Sequence, residues 1–221
     1  MIGNISFPLY LSLKVAFFST ILAGIFGIAA GYFLYSRKFF GKEIIDTLIT
    51  IPMVLPPTVT GLYLMIIFGK NGFLGSILYD LTGFTIMFSW QAAVLASFIV
   101  SMPLSFKTTR AAFEAVDKSF IEISYVLGKS ELKTFRKVIL PLAWKGIVSG
   151  LVLTFARALG EFGATLMLAG NIEGKTNTVP ITIYSLATSG KESEAHILAL
   201  IFTVFSFFVL FLVKKLGGNN A

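Results

Sequence analysis

Two charged residues interrupt an otherwise apolar stretch of the chain, and their types and spacing could act on an ion. Arg157 and Glu161 are four positions apart in LVLTFARALGEFGATLMLAG, which places both side chains on one face of a helix. A single charge costs roughly 2.5 to 3.5 kcal/mol at the centre of a membrane. The two residues should therefore pair or face water. They form either a structural ion pair that braces the helices or an anion route in which Glu161 orients Arg157.

A second group with chemical potential is the proline-rich run IPMVLPP, which ends at Pro56 and Pro57. Proline lacks a backbone donor and clashes with the preceding turn, so a helix must kink or break here. In lipid a break survives only where protein or a water-filled cavity covers it. If the helix restarts after Pro57, free amide groups near Thr58, Val59 and Thr60 favour anions. The alternative is a simple kink that shapes packing.

Few other groups could serve catalysis. The chain has one histidine, His196, and no cysteine, so it offers no evident acid, base or metal cage. The ATP-binding sequence G-x-x-x-x-G-K-[ST] does not occur. We predict that the chain is not an enzyme and has no catalytic residue, metal site or cofactor of its own. A passive anion channel stays open as an alternative, since Arg157 and helix N-termini could also form a selectivity site.

The elements that carry these residues are predicted to cross a membrane. The chain has 56% apolar and 13% charged residues and a mean hydropathy of +0.85, far more apolar than a soluble domain. We predict an all-α, polytopic bundle of five transmembrane helices, forming one domain over residues 1–221 of a multi-pass cell-membrane protein surrounded by lipid. The expected spans are about 8–36, 47–69, 81–106, 144–169 and 196–214, with a cytoplasmic loop at about 107–143.

The net charge of +7 could indicate nucleic-acid binding, but the positions of the charges argue against it. Thirteen of the eighteen basic residues fall in residues 37–46, in residues 107–145 and in the tail after Val213, whereas the alternate loops carry three. Basic residues accumulate on the cytoplasmic side of membrane proteins. The distribution therefore predicts an N-terminus outside the cell and a C-terminus in the cytoplasm.

The longest polar stretch, residues 107–145, is predicted to form a compact cytoplasmic docking surface. Asp117 can cap a short helix, Gly128 can provide its left-handed end, and Ser130 can cap a second short helix. Pro141 is tolerated in a first helical turn but not in a helix interior. It is therefore expected to mark the start of the next membrane helix.

The same stretch resembles the EAA loop of ABC importer permeases, whose form is EAA, three residues, G, nine residues, I, one residue, LP. This chain differs from that form at Ile123 and Ser124, where the family prefers alanine, and at Val138, where it prefers isoleucine. The resemblance implies that the loop couples the chain to a separate ATPase. The residues implied in this coupling are Glu122, Ser124, Gly128, Val138, Leu140 and Pro141.

Further segments resemble the molybdate permease branch of that family: LPPTVTGLYL, FSWQAAVLASFIVSMPL, FARALGEFGATLMLAGNIEGKT and TVPITIY. They cover most of the chain from Ile51 onward. The resemblance implies a type I ABC importer permease with the MetI-like fold, which forms the path of an ATP-driven oxyanion importer. Molybdate is the expected ion. Tungstate permeases are similar too, and sulfate permeases share the GEFGA core, so both ions are alternatives.

The resemblance also implies partners, namely a homodimer of permeases, two cytoplasmic ATP-binding subunits and an extracytoplasmic oxyanion-binding protein. The path or gate is then expected near the proline cluster and the intramembrane charges. The residues predicted to form it are Pro56, Pro57, Thr58, Thr60, Arg157, Glu161 and Thr165.

Overall fold

The computed structural model describes residues 5–217, which form helices joined by turns and loops, with no β-strand in that range. The all-α prediction is confirmed. The helices are α1 (Ser6–Ser36), α2 (Lys42–Val54), α3 (Pro57–Phe68), α4 (Phe73–Thr82), α5 (Trp90–Glu114), α6 (Lys118–Val126), α7 (Glu131–Thr134), α8 (Leu140–Leu159), α9 (Gly163–Ala169), α10 (Val179–Thr188) and α11 (Glu192–Gly217), with a π-helical turn (Phe135–Ile139) between α7 and α8.

Four helices are long and apolar enough to cross a membrane: α1, α5, the continuous helix Glu131–Leu159 and the Glu192–Leu212 part of α11. The pair α2 and α3 makes a fifth candidate if it is counted as one span, although its two axes differ by 113°. The architecture therefore matches the predicted polytopic bundle of five spans, the second of which is sharply bent.

Close packing of α1 against α5 and α8 forms the centre of the bundle, and small residues make it possible. A methyl group added at Gly27 would lie 2.5 Å from Ser105 Oγ on α5, and one at Gly24 would lie 2.8 Å from Leu151 Cδ2 on α8. Such contacts are shorter than side-chain carbons tolerate. Small residues let the helix backbones approach closely, and α5 is the most buried of the four long spans.

Two apolar clusters hold α3, α9 and the π-helical turn to this centre. One joins α1, α3, α5 and α9 through residues such as Leu64, Val100 and Leu168. The other lies around the fully buried Phe113 near the end of α5, and it includes Tyr32 and the π-helical turn. The region around α3 and α9 and the end of α5 near Phe113 are thus supported by separate clusters.

The third predicted helix, residues 81–106, differs from the structure at both ends. The short helix α4 ends at Gly83, which has φ +67°, and α5 begins only at Trp90, where Ser89 Oγ accepts a hydrogen bond from the Ala92 amide at 3.2 Å. At its other end α5 continues through Pro103 to Glu114. The hydropathy of the sequence does not reveal the loop between α4 and α5, because the residues of this loop are themselves mostly apolar.

The fourth predicted helix, residues 144–169, also has different limits. α8 begins at Leu140 and has Pro141 in its first turn, as predicted, but α7 and the π-helical turn precede it without a gap, so that the whole span is Glu131–Leu159. The π-helical turn ends two residues before Pro141, and the wider turn changes the hydrogen bonding where proline lacks a donor. The helix then stops at Leu159, and α9 follows as a separate element. The predicted outer loop after residue 170 contains α10.

Candidate functional site

The interruption between α8 and α9, residues 160–162, holds the two intramembrane charges. Arg157 is in the last turn of α8, whereas Glu161 follows the end of that helix, so the prediction of one continuous helix through both is wrong. The pair itself is present, with Arg157 Nη1 2.7 Å from Glu161 Oε2. The other carboxylate oxygen, Oε1, accepts a hydrogen bond from the Ala164 amide at 3.0 Å. Glu161 therefore joins the end of α8 to the start of α9.

The two members of this pair differ in exposure. The Glu161 side chain is 1% exposed and that of Arg157 is 38% exposed. A buried carboxylate with both oxygens occupied is a fixed acceptor. The guanidinium, by contrast, has donors to spare, because one of its five N–H groups is sufficient for the observed contact. Arg157 is thus held by Glu161 and still presents N–H groups to its surroundings.

The proline cluster forms a true break. The backbone is extended at Leu55, and Pro56 caps α3, with Pro57 at its first position. The amides of Val59 and Thr60 both donate to the Pro56 carbonyl, at 2.9 and 3.1 Å. Of the three amide groups predicted to be free, two are therefore satisfied within the helix. The expectation of a three-amide anion site is corrected accordingly.

The start of α3 packs directly on the start of α9. A methyl group at Gly163 would lie 3.0 Å from Pro57 Cβ and 3.3 Å from the Thr58 amide nitrogen. One turn further on, a methyl group at Gly61 would lie 2.9 Å from the Ala164 Cα. The N-terminal ends of α3 and α9, each of which follows a break, thus meet beside Glu161.

The predicted path residues therefore divide into two sets. Pro56 and Thr58 are exposed near the junction of α3 and α9. Thr60 and Thr165 are 4% and 0% exposed, and neither hydroxyl has a hydrogen-bond partner. Because both side chains are buried, these two residues do not line open space in this conformation. A buried hydroxyl without a hydrogen-bond partner also costs free energy.

Sequence reasoning missed one residue of this region, Phe162. Phe162, within the interruption, lies against Tyr184 of α10, with ring centroids 5.1 Å apart. The contact connects α10 to the interruption between α8 and α9. Nothing in the sequence signals it, because it joins residues 22 positions apart through the fold alone. The sequence did predict that a neighbouring backbone comes close at Gly160 and Gly163, and the structure shows this approach at Gly163.

The coupling segment, which we define as residues 117–141, starts with the predicted cap. Asp117 Oδ1 accepts a hydrogen bond from the Ser119 amide at 2.9 Å, and that bond holds the pKa of the Asp117 carboxyl below its ordinary value. At the other end of α6, Gly128 has φ +71°. The Gly128 amide donates to the Tyr125 carbonyl and the Lys129 amide donates to that of Ser124, the pattern of a Schellman end. Both predictions are confirmed.

Ser130 occupies the predicted cap position of α7, but its side chain makes no capping hydrogen bond. Ser124 is 2% exposed, and its hydroxyl lies 2.9 Å from that of Thr134. This hydrogen bond joins α6 to α7. Ser124 therefore holds the segment together from the inside, and its side chain is not on the surface that a partner would contact.

The outer surface of α6 is apolar. Glu122 is exposed and is surrounded along the helix by large exposed side chains: Phe120 (51%), Ile123 (55%), Val126 (87%) and Leu127 (68%). Behind α6 is a cavity of about 650 Å³, lined in part by Glu122 and by Tyr32 of α1. A cluster of large apolar side chains on a polar segment marks an interaction surface.

A model of the family described as binding-protein-dependent transport system inner membrane component matches residues 23–217. The chain belongs to this family. It is an inner-membrane permease, and the multi-pass membrane location predicted from its composition is confirmed.

The permease is similar to characterised relatives along most of its length. It is 39% identical over 219 residues to the molybdenum transport system permease protein ModB of Haemophilus influenzae (95% of this chain, 96% of the relative). It is 42% identical over 192 residues to ModB of Escherichia coli strain K12 (86% and 84%). It is 31% identical over 210 residues to the sulfate transport system permease protein CysT of Salmonella typhimurium (94% and 75%).

The fold is also found in a solved structure of the MetNI methionine ABC transporter in an inward-facing conformation. The TM-score is 0.75 at 16% identity, and the match covers 98% of both chains. The predicted ABC importer permease fold is confirmed.

Proposed function

We propose that this permease is the membrane subunit of an ATP-driven oxyanion importer and that molybdate is its substrate. The observation that carries the proposal is the identity of 39% and 42% to two ModB proteins, against 31% to CysT. A tungstate or sulfate permease of the same group is the second candidate. A passive anion channel is disfavoured because a channel has no use for the exposed apolar surface of α6.

ATP hydrolysis is assigned to a separate cytoplasmic subunit that docks on the coupling segment. The permease has no G-x-x-x-x-G-K-[ST] sequence. Its α6 presents Glu122 among exposed apolar side chains, of which Val126 is the most exposed, and such a surface is suited to burial in a cleft of a partner. In this assignment Glu122 and Gly128 shape the docking surface, while Val138, Leu140 and Pro141 connect it to α8.

The working complex is proposed to contain two permeases, two ATP-binding subunits and an extracytoplasmic oxyanion-binding protein. Five spans are few to enclose a path, and each chain has one coupling segment. A homodimer would provide a second half of the path and a second docking site. The proposed orientation has the coupling segment and the C-terminus in the cytoplasm and the N-terminus outside, and the distribution of the basic residues supports it.

The route for the anion is proposed to pass the junction of α3, α8 and α9. Arg157 is the cation there, since Glu161 fixes it and its remaining N–H groups match the oxygens of a tetrahedral oxyanion. Closure of the ATP-binding subunits would move the two coupling segments and switch the path between inward-open and outward-open states by rigid-body motion. The permease need not bind the ion tightly, because selectivity can reside in the binding protein.

The proposal is tested by competition uptake in proteoliposomes that contain the permease, its ATP-binding subunit and its binding protein. Labelled molybdate should enter only with ATP, and unlabelled tungstate and sulfate show by competition which oxyanions share the route. Stronger competition by sulfate than by unlabelled molybdate would favour the second candidate. Uptake that persists without the ATP-binding subunit would contradict the importer and favour the channel.

A further inference from the structure

A cluster of charges connects α2 to the end of α5. Asp46 is the one buried residue of α2. Its carboxylate accepts hydrogen bonds from Lys107 Nζ through Oδ2 and from Arg110 Nη1 through Oδ1. Arg110 Nε also donates to Glu114 Oε1 at 2.8 Å. We call these four residues the Asp46 clamp.

The clamp is more than a surface ion pair. The Asp46 side chain is 12% exposed and that of Arg110 is 20% exposed, so solvent and salt screen the contact less than they screen exposed pairs. Lys107 and Arg110 are one helical turn apart and repel each other unless an anion lies between them. Because all other residues of α2 are at least partly exposed, the clamp determines where α2 lies against α5.

On one side the clamp adjoins the coupling segment. A methyl group at Gly31 of α1 would lie 3.4 Å from the Arg110 amide nitrogen, so α5 is closely packed at this level. Glu114 is the last residue of α5 and is followed three positions later by Asp117, the cap of α6. Glu114 also lines the cavity that lies behind Glu122. The start of α6 is therefore three residues along the chain from Glu114, which contacts the Arg110 that holds Asp46.

On its other side the clamp leads to the junction with α9. Asp46 is eight residues before Val54, the end of α2, which corresponds to about 12 Å of helix. After the bend, Pro57 and Thr58 pack against Gly163, two residues from Glu161. The clamp and the junction thus lie at the two ends of one short segment, which includes the second half of α2 and the bend at Leu55 and Pro56.

We propose that Asp46 is a positioning residue, and that the clamp keeps α2 and α3 in step with the coupling segment when the ATP-binding subunits close. The inference rests on the proposed function, because it assumes an ATP-driven change of state. Asp46 does not contact the ion in this account. In this account Asp46 determines whether α3 moves together with α9 and the end of α8 during the ATP-driven change of state.

The test compares Asp46→Asn with Asp46→Glu and with the matched control Glu43→Gln, which removes an exposed negative charge from the same helix. In the reconstituted complex, Asp46→Asn should keep its ATP-binding subunit and its ATP hydrolysis but lose molybdate uptake on the order of tenfold, within the range of coupling free energies. Asp46→Glu should recover most of the uptake, and Glu43→Gln should match the wild type. Equal losses of hydrolysis and uptake would overturn the inference.

A second readout requires no oxyanion. Thr58→Cys in this cysteine-free chain should change its thiol-labelling rate between the nucleotide-free and ATP-trapped complexes, and the change should disappear when Asp46→Asn is added. If labelling still responds to ATP in that double variant, the clamp is not the link. Absence of uptake in the wild type with an intact labelling response would contradict the proposed substrate and support the clamp.

If the Asp46→Asn permease does not assemble with its ATP-binding subunit, Lys107→Gln serves as a second test of the clamp. Its side chain is 43% exposed, and the Asp46–Arg110 contact survives the substitution. A partial loss of the labelling response is expected. A response equal to that of the wild type would overturn the inference.

Discussion

Glu161 is the residue on which the geometry of the interruption depends, because its two oxygens have partners on two different helices. One oxygen pairs with Arg157 of α8 and the other accepts the Ala164 amide of α9. A carboxylate in this position acts as a cap and as a counter-ion at once. The two roles can be separated by substitution, since an amide side chain can still accept from Ala164 but carries no charge.

Replacement of Glu161 by alanine should therefore destabilise the permease more than replacement by glutamine. We expect a loss of about 2 kcal/mol for Glu161→Gln and about 1 kcal/mol more for Glu161→Ala, since buried hydrogen bonds to charged groups contribute about 1.5–3 kcal/mol. Thermal unfolding in detergent measures both. Glu173→Gln, at an exposed loop position, is the control, and equal stability of the control and both variants would show that Glu161 does not hold the interruption.

Arg157 should matter for transport as well as for pairing. Arg157→Ala removes the cation and leaves Glu161 buried without it, so we expect uptake to fall by about tenfold or more, the equivalent of 1.4 kcal/mol or more. Arg157→Lys restores the charge without the planar donor array and should recover stability better than uptake. Lys175→Ala, in the exposed loop, is the matched control. Wild-type uptake by Arg157→Ala would remove this residue from the path.

At the scale of elements, α6 combines a locally determined shape with a surface that only a partner can explain. Its ends are set by Asp117 and Gly128, and Ser124 fixes it to α7. Its outer surface exposes large apolar side chains, the most exposed being Val126 at 87%. The element is rigid in itself, so its contact with a partner should depend on the outward-facing side chains.

Val126→Ser should weaken binding of the ATP-binding subunit without altering the fold of the permease. The side chain makes little contact within the chain, whereas truncation of a central apolar contact in an interface costs about 1–2 kcal/mol, or about tenfold in Kd. Titration of the ATP-binding subunit onto the purified permease measures the change. Phe40→Ser, at a fully exposed apolar position outside α6, should leave Kd unchanged, and equal effects of the two substitutions would argue against docking on α6.

The helix ends also show which structural features could be predicted from the sequence. The caps of α6 are local, so Asp117 and Gly128 could be predicted from their own neighbours. The loop before Trp90 could not, because residues such as Phe84 are apolar and leave no gap in the hydropathy. The interruption after Leu159 could not either, because Glu161 marks a charge there but a charge alone does not distinguish a break from a continuous helix. The contact of Gly163 with Pro57 was also out of reach, since it depends on how two distant breaks pack together.

At the scale of the whole molecule, the buried hydroxyls of Thr60 and Thr165 offer a test of whether the proposed transport cycle separates α3 from α9. Both lie on the adjoining helices α3 and α9, and neither has a partner in this state. Separation of α3 from α9 would expose them to water and satisfy them. The cost of leaving them unsatisfied here would then lower the free-energy difference between the two states.

Labelling of Thr60→Cys should therefore depend on the transport cycle. We expect slow reaction with a water-soluble thiol reagent in the resting complex, because Thr60 is 4% exposed, and faster reaction during ATP turnover. Ser101→Cys is the control, since Ser101 is fully buried in α5 and its hydroxyl has a partner in Ser97. A Thr60→Cys rate that is unchanged by ATP would contradict a separation of α3 and α9.

The uninterrupted helix Glu131–Leu159 has a further consequence. Its 29 residues correspond to a rod about 43 Å long, which starts beside α6 and ends at the Arg157–Glu161 pair. Rotation of such a rod by about 5° about its lower end displaces its upper end by about 4 Å, more than the diameter of a water molecule. If α6 is the docking site, as we propose, a small rotation at that end would become a displacement of several Å at the Arg157–Glu161 pair.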